Sequence, residues 1–399
     1  MEKPIFDHEW TRQNTNALAI DGFRTYLFGD REVPASRFRD DDLIHLWVAD
    51  MQFATAPCVV EALKRRIEHP IFGYTIHADG AFFDAFSQWA IREYGWHVDR
   101  DAFLPTTGIV PALYTLVDIL CGRDGRAITF APAYGFFKHA ATHHGHDIVL
   151  SDLVPDDRYT IDFDSFDSQV RRPEVRVLIL SHPHNPTGHM WTNHELLKIG
   201  QICLEHDVYI ISDEIHCDLR RLGCDYTPMA TLFPDTEKLI TCVSPSKSFN
   251  LAGMMTGAVI INDEHVRARW GERTLPVFSP LGLAAAAAAY RDGGDWLLGL
   301  REYLDDNFAT LERFLAENLP ECRFRIPEAT YLAWIDMTAY FQPEDNLTDF
   351  FFQHAGVVLE GGDMFVQNGD GHIRINVACP RHVLIEALTR IGDAIARRA

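Results

Sequence analysis

Several things are scarce in this 399-residue chain, and each scarcity excludes something. No run approaches the ~20 apolar residues of a membrane-spanning helix. The N-terminus, Met1-Glu-Lys-Pro-Ile-Phe-Asp7, lacks the basic region and apolar stretch of a secretory signal. Cysteine is sparse at eight residues, none in a C-x-x-C pair. Scattered thiols in a large chain point to a reducing compartment, so a cytoplasmic location is expected. Neither G-x-x-x-x-G-K-[ST] nor G-x-G-x-x-G occurs, which removes the fingerprints of P-loop and dinucleotide-binding proteins. Basic residues are in deficit, 36 Lys+Arg against 57 Asp+Glu, for a formal net charge of −21. That balance argues against nucleic acid or an anionic membrane as the main partner. A local basic pocket for one phosphate or carboxylate stays open. His143, His144 and His146 cluster, but without the carboxylate or cysteine spacing of a metal site, so no metal is expected.

What is present has the balance of an ordinary globular protein, 47% hydrophobic and 23% charged. The length is compatible with one large and one small domain. From about residue 106 to 261, short apolar runs alternate with helical patterns. Ala127–Phe130, Asp147–Leu150, Val175–Leu180, Val208–Ser212, Leu239–Val243 and Gly257–Ile261 read as strands. Val110–Cys121 and Leu196–Glu205 read as helices, the latter opened by a Thr192/Glu195 capping box. Continuous apolar strands alternating with helices predict an α/β fold with a mostly parallel sheet covered on both faces. The alanine run 284–289 predicts a tightly packed helix. Beyond residue 294 the pattern becomes α+β. A long amphipathic helix over 296–315 precedes short strands at Cys322–Ile326, Tyr331–Ile335, Val357–Leu359 and His372–Val377, a helix near Thr348–His354, and a last helix from Arg381. The expected division is an N-terminal segment 1–45, a large domain 46–292 and a small domain 293–399.

Five segments carry chemistry. Thr241-Cys-Val-Ser-Pro-Ser-Lys-Ser-Phe-Asn250 ends a strand in a serine-rich turn around Lys247. Hydroxyls and free N–H groups there suit a phosphate, and the lysine suits imine chemistry with an aldehyde; a plain surface lysine is the alternative. Val208-Tyr-Ile-Ile-Ser-Asp213 delivers Asp213 at a strand's C-terminal end, where α/β sheets place ligands. Alone it reads equally as a metal ligand or helix cap. Beside an imine-forming lysine it reads as the partner of a protonated pyridine nitrogen. In Ser181-His-Pro-His-Asn-Pro-Thr-Gly188, prolines rigidify the turn that aims Asn185, although an ordinary Asn-Pro turn has the same pattern. Gly108 opens a helix whose first N–H groups form an anion site or simply an N-terminus. Arg374 lies in a strand between apolar neighbours, which calls for a carboxylate partner or an edge facing water.

Taken in order, these segments resemble the pyridoxal 5'-phosphate (PLP) enzymes of the class I/II aminotransferase fold. The resemblance is nearest to the subgroup of cystathionine β-lyases and their maltose-regulon-modulator relatives. It runs through Trp47-Val-Ala-Asp-Met-Gln-Phe53, Phe72-Gly-Tyr-Thr75, Gly108-Ile-Val-Pro-Ala-Leu113, Pro183-His-Asn-Pro-Thr-Gly188, Ser212-Asp-Glu-Ile-His216, Ser246-Lys-Ser-Phe-Asn-Leu-Ala-Gly253 and Arg374-Ile-Asn-Val-Ala-Cys-Pro-Arg381. It implies a seven-stranded-type sheet in a large PLP-binding domain. It further implies that Lys247 carries PLP, that Asp213 pairs with the pyridine nitrogen, that Asn185 binds the ring hydroxyl and that Tyr134 stacks on the ring. Gly108, Ile109, Ser244 and Ser246 would hold the phosphate, Tyr74 would reach a phosphate across a homodimer interface, and Arg374 would take the α-carboxylate of an amino-acid substrate.

There are departures. His216 stands where many relatives carry tyrosine, and its role is open. No arginine closely follows Lys247; Arg267 and Arg269 come past the next strand. Phe136 stands where relatives often have proline, and Ala17, Ala19 and Ile20 replace the subgroup's serine, lysine and tryptophan. The resemblance implies a carbon–sulfur β-lyase releasing pyruvate, ammonia and a thiol. The alternatives are an aminotransferase with the same residues and a regulatory binding protein on the same fold.

Overall fold

The computed structural model describes residues 5–156 and 158–398, so residues 1–4 of the N-terminal reading above lie outside it. Eight strands form the main sheet: β2 (Phe103–Thr106), β3 (Arg126–Ala131), β4 (Ile148–Val154), β5 (Thr160–Ile161), β6 (Val175–Ser181), β7 (Tyr209–Asp213), β8 (Leu239–Val243) and β9 (Gly257–Ile261). Their order is β2-β9-β8-β7-β6-β3-β4-β5. The five strands β4, β3, β6, β7 and β8 run parallel, while β9, β2 and the two-residue β5 are antiparallel to their neighbours. The sheet therefore has one strand more than the seven expected. The extra one, β5, is a short edge piece with too little sequence for a periodic signal.

The parallel strands are apolar on both faces because both are covered. Ile179, Ile211, Ile240 and Val259 pack beneath the helices Ile109–Cys121 and Glu264–Arg273. Ile128, Leu178, Leu180 and Ile210 pack against Leu196, Ile199 and Cys203 of the helix Asn193–Glu205. That helix begins at Thr192, whose side chain accepts from Glu195 N while Glu195 returns a bond to Thr192 N. A cap of this kind contributes about 1 kcal/mol. The alanine run lies in the helix Pro280–Asp292, where small side chains let it pack closely on Pro57–Glu68 and Ala81–Tyr94.

A second sheet has the order β10 (Leu332–Asp336), β13 (His372–Asn376), β12 (Glu360–Gly361), all antiparallel. The helices Gly294–Asn318, Leu347–His354 and Arg381–Ala396 accompany it. A two-residue strand, β1 (Ile44–His45), pairs in parallel with β11 (Val357–Val358), so the N-terminal segment is tied to this module. Phe23, Leu27 and Phe28 of that segment pack with Trp47, Phe352 and Val358.

One expectation fails here, and one alternative for Arg374 falls away. Cys322–Ile326 forms no strand; its only ladder contact is a single bridge, Arg323 to Asp336. Its alternating apolar and charged residues mimic strand periodicity, but Pro327 follows and Phe324 instead stacks on Phe308 of the long helix. Arg374 does not sit on an edge, because β13 is the middle strand and the residue is 2% exposed.

Candidate active site

The site forms where the parallel strands end. The last residues of β6 and β7 are in register, Ser181 opposite Asp213, and Asp213 is opposite Cys242 of β8. Asn185 therefore leaves the sheet beside Asp213, and Ser244, Ser246 and Lys247 leave it on the other side. The β2–β9 pair brings Thr106 opposite Gly257, so the turn to Gly108 lies at the same end. Thr106 donates to the Gly108 carbonyl at 3.3 Å. Gly108 has φ 111°, ψ 159°, a conformation nearly confined to glycine, and directly precedes the helix Ile109–Cys121. The helix therefore starts at this end of the sheet, and its first N–H groups have no partner within the helix.

Asp213 is buried, and its recorded hydrogen bond is from Ile215 N at 3.3 Å. Burial pushes its carboxyl up to about 7, against the pull of the Lys247 ammonium. Glu214 beside it is likewise raised by burial, to about 7, and accepts from Ser212 Oγ and Met229 N. Lys247 Nζ donates to the Ala49 carbonyl at 2.8 Å. Desolvation, reinforced by Arg374, lowers the amine to about 8. His216 is buried and held well below its ordinary range by desolvation, then by Lys247 and Arg374; its Nδ1 has no partner among the described residues. Its neutral ring sits edge-on to Tyr331, centroids 6.3 Å apart.

Arg374 Nη1 donates to Asn185 Oδ1 at 3.0 Å and Nη2 to the Trp47 carbonyl at 3.1 Å. Its guanidinium lies over Phe365, 5.0 Å from the centroid, and forms an ion pair with Glu360. Tyr134, the residue before the helix Gly135–Thr142, lies 5.3 Å centroid to centroid from Phe136. Burial raises its hydroxyl above the ordinary range. Tyr134, Phe136, Tyr26, Glu360, Phe365 and Arg374 line one cavity of about 580 Å³. The phosphate expectations fare differently. Ser244 donates to the Thr256 carbonyl at 2.7 Å and accepts from Ser246 N at 3.1 Å, so that hydroxyl is committed to the loop. The side chains nearest to where a Gly108 Cβ would lie are Met255 and Pro111. Arg267 donates to the carbonyls of Ile261 and Asn262 instead. Tyr74 is 97% exposed and is not brought to the pocket within one chain.

Sequence reasoning missed Glu360, Tyr26, Tyr331 and Asn376. It also quoted Trp47–Phe53 without a role, because that segment acts through its backbone. The carbonyl of Trp47 accepts from Arg374, those of Val48 and Asp50 from Asn376, that of Ala49 from Lys247 and Tyr331, and those of Met51 and Phe53 from Asn250. Both sheets thus meet along one strip of main chain.

The family profile of aminotransferases of class I and II matches residues 41–391. The chain belongs to that family. Within the class I/II aminotransferase family, it is 36% identical to cystathionine beta-lyase PatB of Bacillus subtilis over 361 residues, 89% of this chain and 93% of that one. It is 31% identical to the protein MalY of Escherichia coli, covering 90% and 94% of the two chains. The PLP-bound C–S lyase of Staphylococcus hominis, solved with the inhibitor L-cycloserine, superposes with a TM-score of 0.94 at 40% identity and 98% coverage of each chain. The likeness spans both sheets of this class I/II family member.

Proposed function

We propose that the chain is a PLP-dependent carbon–sulfur β-lyase acting on amino-acid thioethers. The observation that carries this is the convergence of Lys247, Asp213, Asn185 and Arg374 on one end of the main sheet. The donor set fits the cofactor. Asp213 is a buried acid in want of a cation, as a protonated pyridine nitrogen is. Asn185 has its carbonyl oxygen engaged by Arg374, which leaves the amide nitrogen to donate to a ring oxygen. Lys247 is a buried amine of lowered basicity, coupled electrostatically to Arg374 and Asp213. His216 offers an unpartnered ring nitrogen. Gly108, Ile109 and Ser246 are assigned to the phosphate, with Ser244, whose hydroxyl is held by its own loop, bracing the turn beneath it; Tyr134 is assigned to the ring face and Tyr74 to the partner subunit's phosphate.

PLP, when bound, supplies the sink for the electrons released at the substrate Cα. The chain does the rest. Arg374 fixes the α-carboxylate, Lys247 removes the Cα proton, and Asp213 keeps the pyridine nitrogen protonated. Tyr26, Tyr134, Phe136 and Phe365 give an apolar, aromatic surround suited to a thioether side chain. A thiolate is a good leaving group from Cβ, so loss of the Cα proton to Lys247 favours breaking the Cβ–S bond; the thiolate takes up a proton, and water hydrolyses the remaining three-carbon fragment to pyruvate and ammonia.

The division into a segment 1–45, a large domain 46–292 and a small domain 293–399 belongs to the same reading, with the pocket at the meeting of the last two. So does a homodimer. Ile71, Phe72, Tyr74, Ile76, Leu275 and Val277 are exposed, and a bridge between Thr75 and Phe278 joins their two segments. An apolar patch of this kind wants a cover. All eight cysteines are free, which supports a cytoplasmic location. Among the described residues no helix is long and apolar enough to cross a membrane.

The test is a product assay. L-cystathionine or an S-alkyl cysteine should give pyruvate and a free thiol with no 2-oxo acid added. Faster formation of glutamate from 2-oxoglutarate than of pyruvate from any thioether would reassign the chain as an aminotransferase. Borohydride should fix the cofactor to the peptide bearing Lys247, and label on any other lysine would refute that assignment.

A further inference from the structure

Glu360 is a carboxylate that the proposed reaction does not use, yet it holds the one guanidinium that the reaction needs. It faces Arg374 directly across the β12–β13 pair, is 5% exposed, and forms an ion pair with it. The pair is incompletely satisfied: Glu360 Oε2 meets Arg374 Nη2, while Arg374 Nε has no hydrogen-bond partner among the described residues. Both residues line the cavity that holds Tyr26, Tyr134 and Phe365. Arg374 Nη1 is committed to Asn185 and Nη2 to Trp47 and Glu360. A second carboxylate reaching this guanidinium meets the first one already there.

We propose that Glu360 is a built-in competitor for the substrate's α-carboxylate, holding Arg374 between turnovers and yielding it, with uptake of one proton from solvent, when substrate binds. This rests on Arg374 as the α-carboxylate site. Two carboxylates cannot share one buried guanidinium with both ionised, so one takes a proton. The substrate's α-carboxylate is the stronger acid, which leaves Glu360 to do so. Burial already raises Glu360, with Asp363 adding to the effect and Arg374 and Lys247 opposing it. Tyr26 and Tyr134, which also face this pair, are held protonated by burial. Lys138 and His139 stand exposed on the cavity rim. The charge change is balanced, since one anion and one proton enter together.

The competition sets a direction with pH. Free Glu360 is ionised at high pH and must be protonated for the ligand to bind. Affinity for a carboxylate ligand therefore falls as pH rises past the Glu360 pKa, by at most about tenfold per pH unit.

The experiment is calorimetric titration of the holoenzyme with 3-(methylthio)propanoate, a thioether acid with no amine, in buffers of different ionisation enthalpy. Binding should take up close to one proton and weaken from pH 7 to 9. In Glu360→Gln the uptake should vanish and affinity should rise, the more so the higher the pH, by at most about tenfold per pH unit. Arg374→Lys should weaken binding in either background. Wild-type binding without proton uptake overturns the proposal, and this arm holds even if the glutamine variant fails to fold. Weaker binding by Glu360→Gln overturns it too, since Glu360 would then only position Arg374. Binding indifferent to Arg374 overturns the α-carboxylate assignment and the competitor with it. Loss of the competitor alone leaves the lyase reading standing.

Discussion

Arg374 Nη1 and Asn185 Oδ1 are joined at 3.0 Å, a side-chain bond linking the middle strand of the small sheet to the turn after β6 of the large one. The group proposed to hold the substrate thus orients the group proposed to hold the cofactor. Asn185→Asp tests this coupling. The carboxylate would satisfy Arg374 but present only acceptors to the ring oxygen. Cofactor affinity should fall by about tenfold or more, the value of one hydrogen bond lost at a buried site. A spectral titration with PLP reads the change. Unaltered affinity would detach Asn185 from the ring.

Lys247 should lose its proton at lower pH than exposed lysines in the cofactor-free protein. Its amine is lowered to about 8 from an ordinary 10.5. The neutral form therefore predominates above pH 8, where exposed lysines are still charged. Reductive methylation followed by peptide mapping should give a midpoint near pH 8 at Lys247. The stability sign follows. Between 10.5 and 8 the unfolded chain binds a proton that the folded chain refuses, so this contribution to stability is present at high pH and is lost as pH falls. Lys247→Met should flatten that slope in denaturant titrations.

Gly108→Ala separates backbone strain from crowding. A Cβ there would find its nearest atom, Met255 Cε, at 3.6 Å, so space is available. The dihedrals at φ 111°, ψ 159° are not available to alanine without strain. The variant should lose about 1–3 kcal/mol of stability and bind inorganic phosphate and PLP more weakly. Thermal unfolding within error of the parent would show that the turn relaxes freely.

Tyr74 and Lys247 should complement one another between subunits. Mixing Tyr74→Phe with Lys247→Ala protein and refolding the mixture should give heterodimers with one site doubly impaired and one intact. Activity would then exceed the weighted sum of the parents. A strictly additive result in the mixing series would place Tyr74 outside any shared site.

Much of the fold was legible because parallel strands buried on both faces leave unbroken apolar runs. β8 and β9 fall on the residues expected, and β3, β6 and β7 differ by a residue or so. The capping box at Thr192 was legible for the same local reason. Cys322–Ile326 misled because its alternation arises from packing on a helix and not from a ladder. Lys247 and Asp213 stood out because Asp213 ends an apolar strand and Lys247 sits in the serine-rich turn after the next one. Glu360 could not, since its meaning lies wholly in facing Arg374 fourteen positions later, a relationship set by strand register. Tyr26 was hidden in the N-terminal segment, whose short helices are too brief for a period to emerge.

The strip Trp47–Phe53 works as a ruler. Its consecutive carbonyls set how far the amine of Lys247 stands from the guanidinium of Arg374, and most of its side chains take no part in that spacing. Exchanging Val48 or Ala49 for another residue leaves the graduations where they were. Removing one residue displaces every later carbonyl at once. The site is therefore tolerant of substitution at Val48 and Ala49 and intolerant of any change in the length of the strip.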